Sequence, residues 1–141
     1  MIKTPFNILL AEDDTDYRFL FEQALKELPI ATHLTTVENG EELIQYLMEH
    51  TLQLPNILFM DLSMPRKTGF ECLHEIKESL QMKELPVVVL TVSLPSDVGY
   101  EIKMEKILND IGAQGYIRKP NDFELLKTAI HNAINKVIAK L

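Results

Sequence analysis

Apolar residues fall into two alternating kinds of segment along the chain. Five short bursts are nearly continuous and partly β-branched, which is typical of parallel strands covered on both faces. Longer stretches between and after these bursts space their apolar residues three or four positions apart, which predicts amphipathic helices. The predicted strands are Ile8–Ala11, Leu34–Val37, Ile57–Met60, Val87–Val92 and Tyr116–Ile117.

Each of the five predicted helices carries an apolar stripe. The stripes are Tyr17, Leu20, Phe21, Ala24 and Leu28; Leu43, Ile44, Leu47 and Met48; Phe70, Leu73, Ile76 and Leu80; Met104, Ile107, Leu108 and Ile111; and Phe123, Leu126, Ile130, Ala133, Val137 and Leu141. Asp14 or Thr15 can cap the first helix, and Asn121 or Asp122 the last. Gly112 stands where a glycine would end the fourth helix. This alternation predicts an α/β fold with a doubly wound parallel sheet and helices on both faces, and leaves the strand order open.

The composition is that of an ordinary folded domain. Of the 141 residues, 46% are hydrophobic and 25% are charged, and this length suits one domain with its own core. The formal net charge of −7, without a run of Lys or Arg, disfavours binding to nucleic acid or to an anionic membrane surface. Cys72 is the only cysteine, which excludes an internal disulfide. No apolar run reaches the roughly 18 residues of a membrane span, and no signal-peptide layout is visible, so we expect a cytoplasmic protein.

Polar residues that can bind ligands or take part in a reaction lie at the ends of four predicted strands. Glu12 and Asp13 follow the first burst, and Asp61 follows the third. Thr91 lies near the end of the fourth, and Lys119 follows the fifth. Ligands of doubly wound sheets bind beyond the carboxyl ends of the strands, where carboxylates suit Mg²⁺ and a hydroxyl and an ammonium can contact a phosphoryl group. Each residue alone is as readily a helix cap, a turn residue or a surface group, but their joint occurrence favours a phosphoryl-transfer site.

Four segments of the chain resemble the receiver domain of two-component response regulators. They read NILLAEDD, ILFMDLSMPRKTGFE, PVVVLTVS and GAQGYIRKP, and the resemblance extends over about residues 6–136. It implies the flavodoxin-like strand order 2-1-3-4-5 for the five-stranded sheet. It also implies a single receiver domain over residues 1–141 with no output domain, because the chain ends about where the fifth helix ends.

The resemblance implies a phosphorylation site with a metal ion. Asp61 matches the aspartate that accepts the phosphoryl group, and Glu12 and Asp13 match the acidic pair that binds Mg²⁺. Ser63 matches the residue whose backbone carbonyl completes the metal site. The implied metal ligands are therefore Glu12, Asp13, Asp61 and Ser63.

The resemblance also implies a conformational switch beside that site. Lys119 matches the phosphoryl-binding lysine, and the bond from it to Pro120 is cis in typical members. Thr91 matches the hydroxyl residue that moves toward the phosphoryl group, and Tyr116 matches the aromatic residue that changes rotamer with it. The implied catalytic residues are thus Asp61, Thr91 and Lys119. The implied switch consists of Thr91 and Tyr116.

The sequence departs from the family pattern after Thr91. Val92 stands where a small residue is usual, and the interval from Thr91 to Lys119 is longer than in many receivers. Turn-forming residues within 93–100 predict an extended loop before a helix that begins near Glu101. We expect this loop and Tyr116 to form a binding surface that responds to phosphorylation.

The resemblance implies a stand-alone response regulator that accepts a phosphoryl group on Asp61 from a sensor histidine kinase or a phosphotransfer protein. Such a protein catalyses only its own phosphorylation and dephosphorylation, so it is not a classical enzyme, and it signals through protein–protein contacts. Some stand-alone receivers with similar PVVVLT and KP signatures partner with phytochrome-type kinases and form homodimers through their last strand and helices, so this resemblance suggests a phytochrome-type kinase and a homodimer for this chain.

Three other functions stay open at this point. A receiver-like interaction scaffold without phosphorylation is one, although the complete acidic, threonine and lysine set argues against it. A haloacid-dehalogenase-like phosphatase also uses an aspartate after a strand, but Ser63 stands where that class needs a second aspartate. A flavodoxin-type electron carrier is disfavoured because no phosphate-cradling loop follows the first strand.

Overall fold

A computed structural model describes residues 5–91 and 98–141 of the chain. Within these ranges, strands and helices alternate from the first element to the last. The strands are β1 (Phe6–Ala11), β2 (Thr32–Val37), β3 (Ile57–Asp61), β4 (Val87–Thr91) and β5 (Gly115–Arg118). The helices are α1 (Thr15–Lys26), α2 (Gly40–Glu49), α3 (Gly69–Glu78), α4 (Val98–Ile111) and α5 (Phe123–Ile138).

The strands form one parallel sheet in the order β2-β1-β3-β4-β5. This order confirms both the predicted doubly wound fold and the strand order that the family resemblance implied. Asp61 at the end of β3 is in register with Leu90, and Thr91 at the end of β4 is in register with Arg118. The carboxyl ends of these strands therefore meet at one edge of the sheet.

Two apolar cores cover the two faces of the sheet. Alternate strand residues point into different cores, so that Leu9 and Leu58 pack with α2, α3 and α4, whereas Leu10 and Phe59 pack with α1 and α5. Every residue of β3 is buried, as expected for a central strand covered on both sides. No helix in the described ranges combines the length and the apolar character that crossing a bilayer requires.

The predicted helix boundaries are largely confirmed by the observed caps. The side chain of Asp14 accepts hydrogen bonds at the start of α1, and that of Asp122 does so at the start of α5. Gly112 follows α4 with a φ of 111°, a left-handed conformation in which glycine avoids the strain of a side chain. However, α4 begins at Val98, three residues before the predicted Glu101. Val92 and the first part of the predicted loop, residues 93–97, lie outside the described residues. The rest of the predicted loop, residues 98–100, belongs to α4.

For some residues of the predicted apolar stripes, the expected burial is wrong. Phe70 and Leu80 at the two ends of the third stripe are exposed, although Leu73 and Ile76 between them are fully buried. Leu80 lies beyond the last residue of α3, where helical spacing no longer determines which way a side chain points. The other exposed stripe residues are Leu20, Met48, Ile107 and Leu141.

Candidate functional site

Three carboxylates meet beyond the carboxyl ends of β1 and β3. Glu12 and Asp13 directly follow β1, and Asp61 is the last residue of β3. One carboxylate oxygen from each residue lies within 4.8 Å of the other two. Glu12 and Asp61 are buried, whereas Asp13 is exposed. Hard oxygen donors at this separation, with one of them open to solvent, fit a divalent cation such as Mg²⁺ that keeps several of its waters.

Lys119 brings a positive charge to the two buried carboxylates. Its Nζ lies 2.5 Å from Oε1 of Glu12 and 3.4 Å from Oδ2 of Asp61, and its side chain is only 15% exposed. The contact with Asp61 is a hydrogen bond, and the shorter contact with Glu12 is an ion pair. Lys119 therefore compensates the charge of two buried carboxylates. The peptide bond from Lys119 to Pro120 is trans in this structure, not cis as in typical members of the resembled family.

Burial and charge act in opposite directions on Glu12. The pKa of its carboxyl group is raised from 4.5 to about 7; burial is the largest cause, and the negative charge of Asp61 acts in the same direction. The ammonium of Lys119 and the backbone N–H of Asp14 lower the pKa of Glu12, but they do not cancel the effect of burial. The structure thus holds a carboxyl group that changes charge near neutral pH.

This raised pKa predicts a pH-dependent stability without metal. Because the pKa of Glu12 is higher in the folded than in the unfolded chain, its stabilising contribution is complete at low pH and falls as pH rises from about 4.5 to about 7. We expect Glu12→Gln to lack this decline in the free energy of unfolding. Urea denaturation with a chelator, at about pH 5 and about pH 8, measures the free energy of unfolding of the wild type and of Glu12→Gln. The same pH dependence in both would contradict the raised pKa.

The loop between β3 and α3 orients the Asp61 side chain. The backbone N–H of Ser63 donates to Oδ1 of Asp61 at 3.1 Å, and the N–H of Gly69 donates to the carbonyl of Leu62 at 3.0 Å. Arg66 in this loop has a backbone φ of 72°, a left-handed conformation that residues other than glycine rarely adopt. The structure therefore places Ser63 directly beside Asp61, while the metal-binding role of its carbonyl stays a prediction.

Two glycines allow the same loop to pack closely at both of its ends. A Cβ atom at Gly69 would lie 2.7 Å from the carbonyl oxygen of Asp61. A Cβ atom at Gly40, the first residue of α2, would overlap the carbonyl oxygen of Lys67. Both contacts are with backbone atoms, which cannot turn away as a flexible side chain can. The position of the loop therefore depends on the absence of a side chain at these two sites.

We expect Gly40→Ala to destabilise the protein by about 2 kcal/mol, because either α2 or the backbone at Lys67 has to shift. Urea denaturation measures the change in the free energy of unfolding. Gly115→Ala is the matched control, since a Cβ atom there would meet Val88 at an ordinary 3.8 Å. An equal loss of stability in both variants would show that the close approach at Gly40 is not the cause.

Thr91 presents an unused hydroxyl at the end of β4. Its Oγ1 is buried and makes no hydrogen bond within the part of the chain that the structure describes. The backbone N–H of Lys119 donates to the carbonyl of Thr91 at 2.8 Å, which ties the ends of β4 and β5 together. Tyr116 on β5 is half-buried and packs against the core on the α2, α3 and α4 side of the sheet. An unsatisfied buried donor is costly, so the Thr91 hydroxyl is available to an incoming anionic oxygen.

Tyr17 also lies at this site, although its sequence pattern indicated only a place in the apolar stripe of α1. Nζ of Lys119 lies 4.3 Å from the centroid of the Tyr17 ring. The Tyr17 hydroxyl is buried, and its pKa is raised above the usual range by burial and by the charges of Glu12 and Asp61. One signal was present in the sequence: Tyr17 lies in the first turn of the helix that follows β1, at the same edge of the sheet as Lys119.

Comparisons with known proteins identify similarity over most of the chain. The family model of the response regulator receiver domain matches residues 8–131. The probable methanogenesis regulatory protein FilR2 of Methanothrix harundinacea is 31% identical over 129 residues, which cover 89% of this chain and 79% of that protein. Response regulator Rcp1 of Synechocystis sp. is 35% identical over 97 residues, 66% of each chain.

The whole fold also resembles that of solved response regulators. The phosphorylated cyanobacterial phytochrome response regulator RcpA superimposes with a TM-score of 0.81 at 26% identity, covering 98% of this chain and 97% of that one. The Mn²⁺-bound form of Rcp1 superimposes with a TM-score of 0.75 at 28% identity, covering 91% of both chains. One relative has thus been observed with a phosphoryl group and another with a divalent cation.

Proposed function

This chain belongs to the response regulator receiver domain family, and from that premise we propose that it accepts a phosphoryl group on Asp61 from a sensor histidine kinase. Receiver domains are signalling modules of two-component systems and not classical enzymes. The observation that carries the proposal is the buried Asp61 carboxylate, which lies within reach of two further carboxylates and of the Lys119 ammonium. Phosphorylation and dephosphorylation are then the only reactions that the protein promotes, both on itself.

The transfer step follows from the groups around Asp61. A carboxylate oxygen of Asp61 forms a bond to phosphorus while the bond from phosphorus to the donor histidine nitrogen breaks. The nitrogen keeps the electron pair of that bond. Both reactants are anionic and repel each other, and Lys119, 3.4 Å from Oδ2 of Asp61, supplies a compensating positive charge. The N–H of Ser63 holds the other carboxylate oxygen in place.

The residues present fit Mg²⁺ as the cofactor. Glu12, Asp13 and Asp61 offer hard carboxylate oxygens, and one or two carboxylates with several waters is the usual binding mode of this ion. The backbone carbonyl of Ser63 is a further candidate ligand. When bound, the ion offsets the charge of the phosphoryl group. The Mn²⁺-bound structure of Rcp1 supports a divalent cation at this type of site.

Phosphorylation changes the surface through Thr91. The acyl phosphate on Asp61 carries additional negative charge and strong acceptor oxygens. The Thr91 hydroxyl, which is unpaired within the described residues, donates to one of these oxygens, and Tyr116 follows into the space that Thr91 leaves. The altered surface around β4 and β5 then binds a partner protein or a second copy of the chain. Similarity to the phytochrome response regulator RcpA supports a phytochrome-type kinase as the donor.

The function is tested with a small-molecule donor. The protein is incubated with acetyl phosphate and Mg²⁺, and the intact mass is measured with and without a chelator. We expect the mass of one phosphoryl group to be added only when Mg²⁺ is present. A protein that stays unmodified under all conditions would instead be a receiver-like interaction scaffold.

A further inference from the structure

Within the described part of the chain, three groups lie close to the ammonium of Lys119. Two are the buried carboxylates of Glu12 and Asp61, and the third is the aromatic ring of Tyr17, whose centroid is 4.3 Å from Nζ. An ammonium this close to an aromatic ring is attracted by the ring quadrupole, and the attraction strengthens where water is excluded. Only 15% of the Lys119 side chain is exposed, so little water weakens the attraction between its ammonium and the Tyr17 ring.

The ring of Tyr17, and not its hydroxyl group, makes this interaction. The hydroxyl is buried and has no hydrogen-bond partner within the described residues, which costs free energy. Hydrogen bonding therefore gives no reason for a tyrosine at this position. The ring is held beside the site because Tyr17 lies in the first turn of α1, where the Asp14 side chain accepts a hydrogen bond from its backbone N–H at 3.3 Å.

Lys119 also has an alternative direction in which to turn. A groove of about 520 Å³ adjoins the site between the start of α1 and the start of α5, and Tyr17, Lys119 and Phe123 line it. Asp122 lines the same groove and offers a competing negative charge. A long, flexible lysine side chain that loses one of its contacts at the site can therefore occupy this groove.

We propose that Tyr17 is a positioning residue for Lys119, and that its ring retains the ammonium while this group passes from Glu12 to a phosphoryl group on Asp61. The inference rests on the proposed phosphorylation of Asp61. In this structure Nζ is closer to Glu12 than to Asp61, so it has to leave Glu12 to pair with phosphoryl oxygens. Hydrogen bonds are directional, whereas attraction to a ring face tolerates a small sideways movement. The ring contact therefore persists during this transfer.

Two substitutions of Tyr17 separate the ring from the hydroxyl group. We expect Tyr17→Leu to slow phosphorylation by acetyl phosphate at saturating Mg²⁺ roughly tenfold, or about 1.4 kcal/mol, a typical size for a partly desolvated contact of this kind. Tyr17→Phe keeps the ring and is expected to recover most of the lost rate. Tyr46→Leu is the matched control, because the Tyr46 ring stacks on His50 and not on Lys119.

A double-mutant cycle tests whether Tyr17 acts through Lys119. In a Lys119→Met background, we expect Tyr17→Leu to cause no further slowing. Nuclear magnetic resonance of the Lys119 ε-methylene group gives a second signature that does not depend on any rate. We expect an upfield ring-current shift in the wild type that persists with beryllofluoride, a phosphoryl mimic, and that disappears in Tyr17→Leu.

Several results would overturn the inference. These are an unchanged rate in Tyr17→Leu, an equally slow Tyr17→Phe, the same slowing in the Lys119→Met background, or no ring-current shift in the wild type. If Tyr17→Leu fails to fold, Tyr17→Met replaces it with a flexible side chain. A wild-type protein that gains no phosphoryl group contradicts the proposed function, which distinguishes that failure from a failure of the role of Tyr17.

Discussion

Asp61→Asn is expected to fold like the wild type and to gain no phosphoryl group from acetyl phosphate and Mg²⁺. Asparagine keeps the shape of the side chain and a carbonyl oxygen that can accept the hydrogen bond from the N–H of Ser63. It lacks the anionic oxygen that attacks phosphorus and removes one of three metal-binding carboxylates. The intact mass after incubation, with circular dichroism as a test of folding, measures the outcome.

Asp14→Asn is the matched control for this loss. Asp14 is a neighbouring acidic residue that caps α1 and does not belong to the cluster of three carboxylates. Asparagine caps helices about as well as aspartate, so the control is expected to be phosphorylated normally. Labelling that persists in Asp61→Asn would place the acceptor elsewhere and refute the proposed site.

The strands were predictable because central parallel strands leave a simple signal. Every residue of β3 is buried, so the whole strand appears in the sequence as an apolar run that ends at Asp61. The order of the strands was not available from this pattern, since apolar periodicity contains no information about neighbours, and it came from the family resemblance. Helix faces were predicted less well, and Leu20 and Met48 are exposed although their spacing placed them in the core.

The site residues were predictable because parallel strands bring their carboxyl ends together. That rule places Glu12, Asp61 and Lys119 at one edge without any knowledge of side-chain conformations. It does not reveal that Lys119 pairs more closely with Glu12 than with Asp61, or that Tyr17 lies beside the ammonium. Both depend on rotamers and on packing across elements far apart in sequence, which single-residue patterns do not record.

Family membership removes two of the alternatives that the sequence left open. A match to the receiver domain over residues 8–131 leaves no place for a phosphatase or an electron-carrier interpretation of the same strands. The scaffold alternative is different, because a receiver can keep its fold without being phosphorylated. Only the chemistry of Asp61 decides that question, and the acetyl phosphate experiment measures it directly.

Lys119→Met is expected to destabilise the metal-free protein by about 3 kcal/mol at about pH 8, because the substitution leaves two buried carboxylates without their cation. The loss should be smaller at about pH 5. The pKa of Glu12 is already raised to about 7, mainly by burial, and removal of the ammonium raises it further, so at low pH a proton replaces the missing charge. Urea denaturation of the wild type and of Lys119→Met at the two pH values measures how much free energy of unfolding the substitution removes at each.

Lys127→Met is the control that isolates burial in this prediction. Lys127 also pairs with two carboxylates, Glu27 and Glu124, but both of these are exposed. Exposed ion pairs contribute little, so this substitution should cost far less stability than Lys119→Met and show little dependence on pH. Adding Mg²⁺ should restore stability to Lys119→Met only, because the cation compensates the same carboxylates that the ammonium did. Equal losses in the two variants would mean that Lys119 acts as an ordinary surface lysine and that the charges of Glu12 and Asp61 are not coupled through it.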